Sequence, residues 1–259
     1  MMITGREILL FLTYKYKSNW DLIMEAIRRR EDVNEVDIKK ISALVKSEYI
    51  TLVDEDYPEG LKKIQQPPFV LFYKGDKNLF HWANHHKISV VGSRQCSQYG
   101  IDSTKIIIKN LPADFLIISG LAKGIDAVSH ESALEAKLKT IAVLGDGLLK
   151  FYPKENINIF NKIIDDGGLV LTEYFDDVSP EPENFINRNR IIAGLCDFLL
   201  VTEAYERSGT SITVNQALSY GKDVGCVPYE ISRKSICNSL IKEGAYLIES
   251  ADDIIKIVR

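Results

Sequence analysis

Apolar and polar positions change rhythm near residue 80 of this 259-residue chain. Before it, apolar residues recur at helical spacing in three short amphipathic stretches, 7–12, 21–29 and 36–47. Tyr57-Pro58, Gln65-Gln66-Pro67-Pro68 and the apolar run Phe69-Val70-Leu71-Phe72-Tyr73 follow. This pattern predicts a small helical module over residues 1–50 and an extended entry segment over 51–80. Thereafter an apolar run, a glycine or polar turn and an amphipathic stretch alternate, which places strands at 88–91, 115–118, 140–144, 168–172, 197–202 and 223–227. Such runs bury both faces of each strand, as in a parallel sheet with helices on either side. A doubly wound α/β domain over residues 81–259 is therefore expected.

In a sheet of that kind ligands sit outside the carboxyl ends of the strands. The first predicted strand ends in Gly92-Ser93-Arg94, and the second runs into Ser119-Gly120-Leu121-Ala122-Lys123-Gly124 before a helix begins. The third ends in Gly145-Asp146-Gly147, followed by Tyr152-Pro153-Lys154-Glu155-Asn156, and the fifth leads to Ser208-Gly209-Thr210. Glycines let the backbone approach a bound group, hydroxyls and unpaired helix-start N–H groups donate to phosphate oxygens, and cations supply charge. The expected anion-facing set is Gly92, Ser93, Arg94, Ser119, Gly120, Lys123, Gly124, Lys154, Asn156, Arg188, Ser208, Gly209 and Thr210. Two arginines alternate with asparagines in Asn187-Arg188-Asn189-Arg190. Arg190 is expected to be a buried partner of Glu173 or Glu203, whereas Arg188 fits either a buried role or the rim.

No GxGxxG follows the first strand and no Walker A motif occurs, so neither a dinucleotide nor an ATP site is indicated and no cofactor is expected. Glu173 and Glu203 at strand ends, and His130 one turn from Asp126, could serve acid–base chemistry. Without a nucleophile or metal cluster beside them a structural role is favoured, and the chain is not expected to be an enzyme. Charge narrows the class further. The net charge of −4 excludes coating of nucleic acid by bulk charge, so any anion site is local. Glu25, Glu31, Asp32 and Glu35 surround Arg28-Arg29-Arg30, which reads as a solvated helix face. Four widely spaced cysteines, Cys96, Cys196, Cys226 and Cys237, suggest incidental or core thiols. No apolar run approaches the ~20 residues of a membrane span, and a cytoplasmic protein is expected.

These motifs, in this order, resemble the DNA-processing protein A family, also called Smf. The resemblance rests on Val90 to Arg94, Ser119 to His130, Ile141 to Gly147, Tyr152 to Asn156, Arg188 to Leu195, Glu203-Ala204 with Ser208 to Thr210, and Leu240-Ile241 with Gly244-Ala245. Asp56-Tyr57-Pro58 and Pro67 to Phe72 extend it upstream, leaving about the first 50 residues unmatched. It implies an extended Rossmann-like domain in a bacterial cytoplasmic protein that binds incoming single-stranded DNA during natural transformation and loads the RecA recombinase onto it. It also implies a pocket arginine at Arg94, a pocket lysine at Lys154, and a homodimer whose surface overlaps the one offered to RecA. Within residues 236–248, Ile236, Leu240 and Ile241 stand at helical spacing and Tyr246, Leu247 and Ile248 form the next apolar run; most of these side chains are expected to be core, with an exposed apolar stripe contributing to that pairing.

The chain departs from the family pattern in places. Asp146 stands where a small hydroxyl residue is usual, adding a negative charge beside the pocket and an expected weakening of binding. Val227-Pro228-Tyr229-Glu230 and Ile236-Cys237-Asn238 each lack a usual glycine, and the loop between them is short. The carboxyl-terminal winged-helix module of many members is expected to be missing. Two other readings compete: a nucleotide-processing enzyme of the lysine-decarboxylase-like group, whose PGGxGT signature the sequence lacks, and an interaction scaffold with a vestigial pocket.

Overall fold

The computed structural model describes residues 3–81, 86–205, 209–231 and 235–259. Three helices open the chain: α1 (Gly5–Lys15), α2 (Trp20–Arg28) and α3 (Glu35–Leu44). Each starts at a side chain that can accept from an unpaired helix N–H. Thr4 forms a capping box with Glu7, Asn19 accepts from Leu22 N, and Asn34 accepts from Asp37 N. After β1 (Glu48–Thr51), the short α4 (Glu59–Lys62) and β2 (Val70–Gly75), strands and helices alternate. They are β3 (His86–Gly92), α5 (Gln98–Lys109), β4 (Phe115–Ser119), α6 (Ile125–Glu135), β5 (Lys139–Val143), α7 (Ile157–Asp165), β6 (Leu169–Thr172), α8 (Pro182–Leu195) and β7 (Phe198–Glu203). The series closes with α9 (Gly209–Ser219), β8 (Asp223–Cys226), α10 (Ile236–Lys242), β9 (Tyr246–Leu247) and α11 (Ala251–Val258).

Among the described residues nine strands lie in one sheet of order β1-β2-β6-β5-β4-β3-β7-β8-β9. The run from β6 to β9 is parallel, and β2 and β1 are added antiparallel at one side. Every predicted strand is present, within two residues at each end. The segment read only as extended, 69–73, is a true sheet strand because it pairs with β6, Phe72 opposite Thr172. Side chains alternate between two helix layers. Leu116 and Ile118 pack with Ile191, Ile192, Val214 and Cys237 on one face, and Phe115 and Ile117 with Ile107, Ile125 and Ile254 on the other. The amino-terminal helices join that second side through Leu10, Leu12 and Ile23, which share a core with Phe72, Phe160 and Val170. Arg29 pairs with Glu25 and the arginines of this stretch are exposed, as expected of a solvated face. Cys196, Cys226 and Cys237 are buried free thiols, and Cys96 is partly exposed.

The chain direction through the sheet reverses at β3: β4, β5 and β6 lie to one side of it and β7, β8 and β9 to the other. A crevice must open where the flanking connections diverge, beyond the carboxyl ends of β3 and β7.

Candidate nucleic-acid interface

At that switch point lies a cleft of about 980 Å³. Gly92, Ser93 and Arg94 after β3 form one side, Gly209 and Thr210 at the start of α9 another, and Phe185 and Arg188 of α8 a third. Gly92 is required by close approach, since a Cβ there would stand 2.6 Å from Ile125 and 2.7 Å from the Glu203 carbonyl. Gly124 caps α6 with φ +76°, a conformation that favours glycine, and lies against the Ser93 and Arg94 backbone. These close contacts bring the β3 turn onto the start of α6, where Ile125 N donates to Ser93 O.

Arg94 is exposed and has no carboxylate partner among the described residues; its guanidinium lies 5.5 Å from the centre of the Phe185 ring. Tyr152, half exposed, meets Phe185 edge to face at 6.4 Å, and Ile186 and Ile212 add exposed apolar surface. A cation beside open aromatic faces suits a phosphate with an unstacked base next to it. Tyr152, Phe185 and Asn189 were not among the expected site residues. Both aromatics sit beside the Lys154 and Arg188 motifs in the sequence, a signal that charge and hydroxyl content alone do not carry.

Six of the expected residues line the cleft: Gly92, Ser93, Arg94, Arg188, Gly209 and Thr210. Arg188 does so from beneath. It is buried, donates to the Gly120 and Val143 carbonyls, and leaves its guanidinium in the cleft floor. Burial lowers its pKa from the usual arginine value, while Asp126 beside it favours the charged form. The others are placed differently. Ser119 is buried and donates to Val90 O at 2.7 Å, so its hydroxyl is spent inside the sheet. Gly120 lies under the Arg188 guanidinium. Asn156 uses its amide to hold the Leu121 and Ala122 carbonyls at 3.0 and 3.1 Å. Lys123 pairs with Glu155 at 2.7 Å outside the cleft, and Lys154 is exposed beside it without a carboxylate partner among the described residues. Ser208 lies outside the described residues.

The strand-end carboxylates are committed to structure. Glu173 receives both terminal nitrogens of Arg190 at 2.6 Å in a buried pair, which fulfils the structural reading of that arginine. Glu203 is buried and accepts from Ser97 N and Oγ and from Tyr205 Oη, pinning the turn after β3. His130 does not pair with Asp126. Its Nδ1 meets Thr140 Oγ1 at 2.7 Å, and burial drives its pKa down to about 3. Asp146 is also buried and does not line the cleft, so it adds no exposed negative charge there; burial pushes its carboxyl up to about 7. Burial raises Asp126 as well. The cleft floor thus holds the Arg188 guanidinium together with Asp126, while the Asp126 and Asp146 carboxyls are both shifted up by burial.

A family model for the DNA recombination-mediator protein A matches residues 48–259. The chain belongs to this family. The DNA processing protein DprA of Streptococcus pneumoniae R6 is 44% identical over 207 residues, 79% of this chain and 72% of that protein. Protein Smf of Synechocystis is 37% identical over 240 residues, 90% of this chain and 60% of the relative. The X-ray structure of DprA from Streptococcus pneumoniae aligns over 100% of this chain and 99% of its own, with TM-score 0.85 and 34% identity. DNA processing protein A from Helicobacter pylori, whose structure addresses that protein's single-stranded DNA binding mode, aligns with TM-score 0.72 and 27% identity over 82% of this chain and 96% of its own. The extended Rossmann-like architecture is thus that of DprA structures. Among the described residues no helix is long and apolar enough to cross a membrane.

Proposed function

We propose that this protein binds single-stranded DNA in the switch-point cleft and acts in DNA recombination, as a cytoplasmic homodimer that delivers the strand to the RecA recombinase. The observation that carries the reading is Arg94 without a carboxylate partner among the described residues, poised over Phe185 with Tyr152 alongside. Phosphates meet the cation and backbone, and bases stack on the aromatic faces. A duplex, whose bases are already stacked and paired, has no free base faces to offer them. Lys154, exposed on the neighbouring turn, extends the positive path beyond the cleft. Family membership and the Helicobacter pylori relative support the same reading. Delivery to RecA rests on the family resemblance alone.

Support for pairing comes from the far edge of the sheet. Ile236, Leu240 and Ile241 lie partly buried against the core, while Tyr246 and Leu247 of the edge strand β9 are exposed and supply apolar surface for a second copy. Two linked clefts would hold long oligonucleotides better than short ones. A competition gel shift between single strand and duplex tests the DNA reading, with a log–log salt slope of about −0.7 per phosphate contacted. Equal affinity for the two forms would overturn it. Light scattering at micromolar concentration tests the dimer, and a strict monomer with no gain from longer strands would remove it.

A further inference from the structure

Beneath the cleft lies a buried carboxylate, Asp146, whose desolvation outweighs what favours its charge. Asp146, in the turn after β5, is fully buried, and neither oxygen has a hydrogen-bond partner among the described residues. Its turn forms part of the cleft's support: Gly145 packs against Phe185, and the chain continues to Tyr152. Arg188 of α8 is the charge that acts on it, and that arginine in turn feels Asp146, Asp126 of α6 and Arg94. His130 of α6 also faces Arg188 and stays neutral above about pH 3. After β6, Tyr174 is raised by burial, and Asp176 is occupied by Ser47 and the Lys46 and Ser47 N–H groups. On its own side, the Tyr152 backbone N–H is the closest donor.

We propose that Asp146 is a proton-linked control on this cleft, which holds single-stranded DNA tightly when the Asp146 carboxyl is protonated and more weakly when it is ionised. The inference rests on the DNA-binding reading above and deepens it. Arg188 contributes to the cleft's positive field only so far as carboxylates behind it do not cancel its charge. An ionised Asp146 does cancel it, and in this low-dielectric floor the effect is screened little. Desolvation, only partly offset by the Tyr152 N–H and the Arg188 charge, brings the carboxyl's midpoint to about 7, so its charge changes near neutrality. Linkage makes the effect reciprocal. A phosphate brought to Arg94 and Arg188 disfavours a second anion on the far side of the guanidinium, so binding draws a fraction of a proton, up to about 0.4 at pH 7, onto Asp146, and release returns it.

The test is anisotropy of a labelled oligothymidylate, whose phosphates and bases do not titrate between about pH 6 and 8.5, at constant ionic strength. Wild-type affinity is expected to fall roughly three- to tenfold across that range, the span of a coupling of up to about one pKa unit. Asp146→Asn is expected to be flat, binding at the upper pH as tightly as wild type does at the lower. Calorimetry at neutral pH in buffers of different ionisation heat should find proton uptake by wild type and none by the variant. A flat wild-type profile, or a variant that keeps the slope and the uptake, overturns the proposal. If the variant does not fold, carbon-13 carboxyl resonances of wild type decide. One aspartate midpoint near neutrality that rises on adding oligothymidylate supports the control, and its absence refutes it. Binding without pH dependence sinks this inference alone, whereas no binding at any pH sinks the cleft reading as well.

Discussion

The two halves of the strand-end rim are built from the same kinds of residue and do opposite things. Around β3 and β7, Arg94 stands open over Phe185, and small residues leave a cleft. Around β4, β5 and β6, Asp146 and Lys154 apart, the polar groups are closed on partners: Arg188, at the cleft floor, on the Gly120 and Val143 carbonyls, Asn156 on Leu121 and Ala122, Arg190 on Glu173, Lys123 on Glu155. Position at a strand's carboxyl end brings a side chain to the rim, but availability depends on whether a neighbour has already satisfied it. A buried carbonyl or carboxylate left without a partner is costly, so the closed half uses its cations to hold the fold. The open half leaves one to solvent.

The contrast predicts that the two halves fail differently. The largest effect belongs to the closed half. Arg190→Ala leaves Glu173 buried and uncompensated and also loses the bond to Gln66 O, so a stability loss of about 3–5 kcal/mol is expected. For a chain of this size that lowers the thermal midpoint by about 10 °C. Below that midpoint the folded protein should bind single-stranded DNA as wild type does. Loss of affinity without loss of stability would place Arg190 on the wrong half.

Arg94→Glu is the converse. It reverses a solvent-exposed charge and opens no cavity, so the melting curve should be unchanged while single-strand affinity falls at least tenfold, about 1.5–3 kcal/mol for a charge-assisted contact. Unchanged affinity in a folded Arg94→Glu protein would mean that the cleft is not the site. Phe185→Ala should weaken binding by about 1–3 kcal/mol through lost stacking, with less change in salt slope than Arg94→Glu.

A third test uses acid. In the folded state His130 stays neutral to about pH 3, whereas in the unfolded chain it takes up a proton near 6.5. Between those values only the unfolded state gains the proton, so stability falls as pH drops through that window. Asp146 acts in the opposite sense: its carboxyl, raised to about 7, favours the folded state at low pH and loses that advantage as pH rises toward neutrality. His130→Asn keeps Asp146 and removes only the histidine contribution. The variant should therefore lose on the order of 1–2 kcal/mol less than wild type between about pH 6.5 and 5 in urea unfolding. Equal losses would show that His130 is protonated in the fold.

Much of this arrangement is legible in the sequence. Six of the seven parallel strands show because continuous apolar runs have few other uses, and Arg94 shows because a cation directly after a glycine-ended strand has few places to go. The β2 strand is less legible, since its pairing with β6 joins residues about a hundred positions apart and no local pattern encodes that register. Occupancy is hidden too. Nothing near Ser119 announces that Val90 O accepts its hydroxyl, and nothing near Asn156 announces the Leu121 carbonyl. Asp146 reads as an added surface charge until the fold buries it.

The smallest expected effect lies where the halves meet. Lys123 and Glu155 are half exposed, and each shifts the other's pKa in the direction of an ion pair, raising the lysine and lowering the glutamate. Solvent screens such a pair, so Lys123→Ala should leave the melting curve unchanged and reduce single-strand affinity by less than about twofold. Glu155→Gln is the sharper variant. It removes a negative charge next to Lys154 and releases Lys123, which adds one cation to the path that Lys154 already extends. Affinity for strands long enough to reach that turn should rise about twofold at low salt, and the gain should vanish near molar salt, where the screening length is about 3 Å. Anisotropy with a short and a long oligonucleotide at both salt concentrations makes the measurement. A gain for the short strand alone would put Lys123 inside the cleft, and no gain for either would confine the DNA path to the open half.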